Sequence, residues 1–278
     1  MRRLVLHEAY ISQSILVIFA CANRVPRTRF IFAVMLKRGI EYRHFQSIAS
    51  TNAMASSVLE SEKIEHFLVL STDTQTKGRG QQGTTWQDFP GENLLMTLIT
   101  PSISWPAARV FDLNMAISLA ILQALKPHLP VQLKWPNDIW VSGKKMAGLL
   151  IEPVVRGGYV QRLVVGLGLN VNQTQFDSSL NATSLVLECG KPFDLSLVRE
   201  SISESIQSAL TKILQTGISP KKEYLNSCVA YARIGKYRSG DQEFTALFSD
   251  IDNHGRQILL HSDGSKHAYD LKEVKYLP

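Results

Sequence analysis

From about residue 40 onward, apolar positions recur in short runs that end at glycine, proline or Asx-rich turns. His66–Leu70 is a β-rich run, and Asn93–Thr100 reads as the next strand. Over Pro106–Leu129 the apolar residues Val110, Leu113, Ile117, Ile121 and Leu125 fall three or four apart, which predicts a helix with one buried face. Pro106 suits its first turn, and Pro127 and Pro130 close it. Val131–Trp135 and Ile139–Val141 read as strands around a Pro136-Asn137-Asp138 turn, and Ser142-Gly143-Lys144 turns the chain into Met146–Val155. Leu163–Val171 is a further strand with close-packing glycines. Leu197–Leu214 carries Val198, Ile202, Ile206, Leu210 and Leu214 on one side and reads as a second helix. This pattern predicts an α+β body with a mixed, mostly antiparallel sheet and helices on one face.

The texture changes near residue 232. Ile234–Arg238, Glu243–Ser249, Gln257–His261 and Ala268–Leu271 are short strands separated by turn formers, which predicts a small SH3-like β-barrel. The expected division is therefore a leader over 1–39, a catalytic body over 40–231 and a C-terminal barrel over 232–278.

Charge qualifies the picture at one end only. Residues 1–39 hold seven Arg/Lys and one acid, while the rest balances 23 basic against 23 acidic residues. The basic character thus belongs to the leader, which removes most of the force of a nucleic-acid reading. Ile11–Ala22 is apolar but too short for a confident membrane span. Three readings fit the leader: a translation start near Met35, a transit or signal segment, or a structured element. Cys21, Cys189 and Cys228 are far apart, so neither a disulfide framework nor a zinc site is expected.

Two segments carry the candidate chemistry. In Gln75–Trp86, Gly78, Gly80 and Gly83 allow close backbone approach to a ligand, Lys77 and Arg79 add positive charge, and Trp86 offers a flat face. No Gly-Lys-Ser/Thr follows, so this is not a Walker A loop, and it opens no helix, so a Rossmann reading fails. In Lys134–Asp138 a lysine precedes a turn in an apolar strand, where burial is costly unless it is paired. Asp138 is its expected partner, and either could face a nucleotide and its Mg²⁺. Lys145 and Gly148 follow on the next strand. Ser50-Thr51-Asn52 offers hydroxyls and an amide suited to a ureido group, and Asn170 ends a glycine-bearing strand. Each feature also has a plain structural reading: a glycine hairpin, ordinary turn grammar, a solvated lysine, a helix N-cap in Ser50-Thr51-Asn52, a turn residue at Asn170.

Taken in order, Ser50-Thr51-Asn52, Gln75-x-x-Gly78-Arg79-Gly80, Trp86, Lys134–Asp138, Lys145-Met146-Ala147-Gly148 and Gly166-Leu167-Gly168-Leu169-Asn170 resemble biotin protein ligases over roughly residues 40–278. The resemblance implies a class II synthetase-like fold. It also implies a two-step reaction in which biotin and ATP give biotinyl-5′-AMP, and biotin then passes to a lysine of a biotin carboxyl carrier domain. It implies Lys145 as the principal catalytic cation, with Arg79 and Lys134 supporting. Ser50, Thr51, Asn52 and Gln75 would line the biotin pocket, and Trp86 would stack on adenine. Gly78, Gly80, Gln81, Asn137, Gly148 and Asn170 would contribute around the adenylate, and Asp138 would help hold Mg²⁺. Many relatives carry a second arginine where this chain has Gln81, which predicts leakier retention of the adenylate. Operator binding and membrane attachment are not expected, a cytoplasmic site is, and homodimerisation through sheet edges is compatible with the resemblance. A lipoate–protein ligase and a non-catalytic biotin-sensing regulator are the competing readings.

Overall fold

The computed structural model describes residues 9–11, 14–19, 32–37, 39–80, 86–87 and 89–277, the first three stretches by backbone alone. The strands β1 (Ala9–Ile11), β2 (Ser14–Phe19), β3 (Phe32–Lys37) and β4 (Ile40–Ile48) lead into helix α1 (Thr51–Ser61). Strands β5 (Phe67–Gln75), β6 (Asn93–Ile99) and the short β7 (Trp105–Pro106) follow, then helix α2 (Val110–Leu125). Next come β8 (Gln132–Lys134), β9 (Asp138–Val141), β10 (Lys144–Arg156) and β11 (Tyr159–Asn170). Three helices complete the body: α3 (Leu185–Cys189), α4 (Leu195–Thr216) and α5 (Lys221–Ser227).

These strands make one sheet in the order β1-β2-β3-β4-β5-β6-β11-β10-β9-β8, with β7 on β11. Among the described residues its one parallel strand pair is β4 with β5, because α1 carries the chain back across the sheet between them. The leader set apart by its charge therefore continues the same sheet: β3 pairs Met35 with Tyr42 of β4.

Period-two alternation sends neighbouring residues to opposite faces. Leu68, Leu70, Ile99 and Val164 pack under α1 with Ala55 and Val58. Val69, Leu98 and Val165 meet the other layer, where α2 and α4 lie. The expectation of helices on one face thus holds for α2 and α4, and α1 occupies the opposite face. The 3₁₀ turn and α2 together, Ala107–Leu125, are apolar and long enough to resemble a membrane segment, yet α2 packs between the sheet and α4.

Helix ends differ modestly from the sequence pattern. α2 begins at Val110 rather than Pro106, because Pro106 pairs with Tyr159 and Ala107–Arg109 form a 3₁₀ turn. α4 is longer than its apolar stripe: the Asp194 carboxylate accepts the Ser196 and Leu197 N–H groups at one end, and Gly217 at φ 66° closes the other.

The C-terminal strands β12 (Ile234–Ser239), β13 (Gln242–Ile251), β14 (Gln257–His261), β15 (Lys266–Tyr269) and β16 (Lys275–Leu277) form a second sheet, ordered β15-β14-β13-β12-β16. β16 has no counterpart in the sequence pattern, and the expected Ala268–Leu271 strand lies earlier, at Lys266–Tyr269. Tyr237, Phe248 and Leu259 bury into the same core as the large sheet. Trp135 Nε1 donates to the Gly255 carbonyl at 2.9 Å, tying the two sheets together beside the site.

Candidate active site

A cavity of about 490 Å³ opens between the α1 face of the large sheet and the C-terminal sheet. One end is polar and neutral. Ser50 precedes α1 in extended conformation and makes no side-chain capping bond. Instead the Gln75 side-chain carbonyl accepts the Thr51 N–H at 2.8 Å and the Thr51 hydroxyl at 3.1 Å. Gln75 therefore caps the helix from β5 and draws Ser50, Thr51 and Asn52 against the sheet. Asn52 is buried; its Oδ1 accepts from Thr97 at 2.6 Å and its Nδ2 donates to Glu152 at 2.7 Å.

The floor is made by glycines. A Cβ on Gly166 would lie 2.2 Å from Asn52 Oδ1, and one on Gly168 would lie 2.5 Å from the Trp86 ring. At Gly148 it would stand 3.1 Å from Lys145 Nζ and 3.2 Å from Trp86. Alternate positions of β11 and one of β10 must therefore be bare for Asn52, Trp86 and Lys145 to occupy their places.

The other end is cationic. Arg79, Lys134, Lys145, Lys272 and Lys275 line the cavity, against Asp138 as its one carboxylate among the described residues. Lys145 Nζ lies 2.7 Å from Asp138 Oδ1. The expected pairing of Asp138 with Lys134 is corrected: Lys134 Nζ stands over the Trp140 ring, 4.8 Å from its centroid. Burial pulls the Lys134 ammonium below the ordinary lysine range, with Asp138 opposing the shift. Lys145 reaches Asp138 because β10 bulges between Lys145 and Ala147 while Gly148 faces Asp138 across the ladder.

The remaining expected residues divide. Gly80, Asn137 and Trp86 line the cavity. The Asn137 amide is spent on the Leu149 carbonyl, and Leu149 N–H returns a bond to the Asn137 carbonyl at 3.0 Å, so this residue fixes the turn to β10. Trp86 lies on Gly148 and Gly168, with Lys145 Nζ 5.7 Å from its ring centroid. Gly78 is buried, and its carbonyl accepts the Trp86 N–H at 3.3 Å. Asn170 does not line the cavity: it is buried, and its amide donates to the Thr183 carbonyl at 3.0 Å. Gln81 lies outside the described residues. Among the described residues no three His, Cys, Asp or Glu side chains gather as a metal site. A Mg²⁺ fits here only in the manner of one protein carboxylate completed by substrate phosphates. The sequence reading missed Thr97 and Glu152, which hold Asn52, and the Lys272–Tyr276 wall supplied by the second sheet.

Residues 44–170 match the Biotin/lipoate A/B protein ligase family. The bifunctional ligase/repressor BirA of Bacillus subtilis is 29% identical over 230 residues, covering 80% of this chain and 70% of that protein. The biotin--[acetyl-CoA-carboxylase] ligase of Mycobacterium tuberculosis is 27% identical over 235 residues, covering 81% of this chain and 86% of that protein. In fold, the structure of the Aquifex aeolicus biotin protein ligase in complex with biotin and ATP superposes with a TM-score of 0.69 at 23% identity, over 85% of this chain and 98% of that one. The span matched by that family runs from β4 through β11 and so contains the glycine floor, Arg79, Lys134, Asp138 and Lys145.

Proposed function

We propose that this protein joins biotin to ATP, forming biotinyl-5′-AMP and pyrophosphate, and then transfers biotin to one lysine of a biotin carboxyl carrier domain. The observation that carries this reading is a single cavity with a hydrogen-bonding neutral end at Ser50, Thr51, Asn52 and Gln75 and a cationic end at Arg79, Lys134 and Lys145. A cyclic urea needs donors and acceptors together, which the first end has. A carboxylate and a phosphate must meet at the second. Two like charges about 4 Å apart near a protein surface repel by roughly 4 kcal/mol, so fixed cations are required there.

In the first step a carboxylate oxygen of biotin attacks the α-phosphorus and the bond to the bridging oxygen of the pyrophosphate breaks. Lys145 turns from Asp138 toward the α-phosphate, Arg79 and Lys134 offset the charge that develops, and Asp138 would help hold a Mg²⁺ brought in with the nucleotide. Trp86, lying on Gly148 and Gly168, covers the adenylate and keeps water from its mixed anhydride. In the second step an acceptor lysine amine attacks the biotinyl carbonyl and AMP leaves. The same polar end argues for biotin over lipoate, which has no urea to satisfy those groups.

Incubation of the protein with biotin, ATP, Mg²⁺ and a carrier domain, followed by intact mass measurement, tests the reading. One biotinyl addition on the carrier lysine is expected. Addition of lipoate in place of biotin, or of neither, would overturn it.

A further inference from the structure

We infer that Glu152 is a positioning residue that sets which way the Asn52 amide faces the ligand. This rests on the proposal that the cavity takes biotin.

Asn52 sits at the cavity wall, and three neighbours hold its side chain. Thr97, wholly buried, places its hydroxyl 2.6 Å from Oδ1. Gly166 leaves the space that Oδ1 occupies, since a Cβ there would come within 2.2 Å. Glu152 Oε2 accepts from Nδ2 at 2.7 Å. Thr97 alone does not choose between the two amide orientations, because a hydroxyl donates to an oxygen or accepts from an NH₂ equally well. An ionised carboxylate only accepts, so the NH₂ must turn to Glu152 and the oxygen to Thr97.

The consequence reaches the ligand. One hydrogen of Nδ2 and one lone pair of Oδ1 are committed to Glu152 and Thr97, and one of each is left for the cavity. Reversing the amide exchanges these two, so a ligand donor would meet a donor. A cyclic urea, with one carbonyl and two N–H groups, is read correctly in only one of the two orientations. Glu152 itself is solvent-exposed on β10, which lets it be changed without opening the core.

The test compares Glu152→Lys with Glu152→Gln in biotin-dependent pyrophosphate release. Lysine only donates and selects the reversed amide, whereas glutamine offers an acceptor as well as a donor and so permits both orientations. Expected are a KM for biotin raised about tenfold or more in Glu152→Lys, a smaller rise in Glu152→Gln, and a KM for ATP within about twofold of wild type in both. The inference is overturned if Glu152→Lys leaves the biotin KM within twofold, or if the two variants shift the biotin and ATP KM values alike. Failure of the wild-type protein to release pyrophosphate with biotin would instead remove the functional reading beneath it.

Discussion

Lys145 and Asp138 meet at 2.7 Å although the ladder sets Asp138 opposite Gly148, three residues along β10 from Lys145. Their pairing was not legible in the sequence, where Lys134 is nearer to Asp138 along the chain and looks like the natural partner. The bulge after Lys145 and the bare Cα of Gly148 make the difference, and neither can be read from residue spacing. What spacing did reveal was the cast of residues: Arg79, Lys134, Asp138, Lys145 and the Ser50–Asn52 run all face one cavity. Asn170 gives its amide to the Thr183 carbonyl, and a polar residue at a strand end looks the same in sequence whether it meets a ligand or a neighbouring backbone carbonyl. Lys134 yields a prediction in pH. Burial lowers its pKa, so the folded protein loses this cation at a lower pH than an exposed lysine would. Activity then falls as pH rises through that value. Lys134→Arg keeps its charge at high pH, and the alkaline limb of kcat/KM for ATP should move upward. An unmoved limb would show that Lys134 does not supply charge to the reaction.

At the scale of elements, the β10–β11 hairpin acts as a platform that is bare where Asn52, Trp86 and Lys145 rest. Gly166→Ala should collide with Asn52 and weaken biotin use, while Gly168→Ala should lift Trp86 and impair shielding of the adenylate. Expected are a rise of tenfold or more in the biotin KM for the first and faster release of free biotinyl-AMP for the second, each with a loss of about 1–3 kcal/mol in stability on denaturant unfolding. Equal kinetics in variant and wild type would remove the platform argument. The strands themselves were legible, since alternation and turn residues mark β6, β9, β10 and β11. α1 was not drawn as a helix from the sequence, for its small residues Ala53, Ala55, Ser56 and Ser57 leave only a weak apolar stripe and its first turn is capped by Gln75 rather than by a local side chain.

For the whole molecule, the second sheet is a wall of the site as well as a neighbour to it. Tyr237, Lys272, Lys275 and Tyr276 face the same cavity as Lys134 and Lys145. The sequence could mark a change of texture near residue 232 but not this approach, which joins positions more than a hundred residues apart. The joint is Gly255, at φ +87°, whose carbonyl binds Trp135 and whose added Cβ would lie 2.3 Å from Phe111. Gly255→Ala should cost about 2–3 kcal/mol through backbone strain and overpacking, and should raise the KM for ATP as the wall shifts. Thermal unfolding and steady-state kinetics on the same preparation check both. A lowered melting temperature with unchanged ATP kinetics would mean that the wall carries no part of the nucleotide site.

All three scales converge on one claim, that the neutral and cationic ends of this cavity bring a urea-bearing acid to a nucleotide. Pyrophosphate release from ATP measures it most directly, with biotin or lipoate as the acid, in wild type and in Lys145→Ala. The account predicts release with biotin alone, reduced by at least about a hundredfold in a folded Lys145→Ala protein. Release that ignores the choice of acid, or that survives loss of Lys145 undiminished, would contradict it.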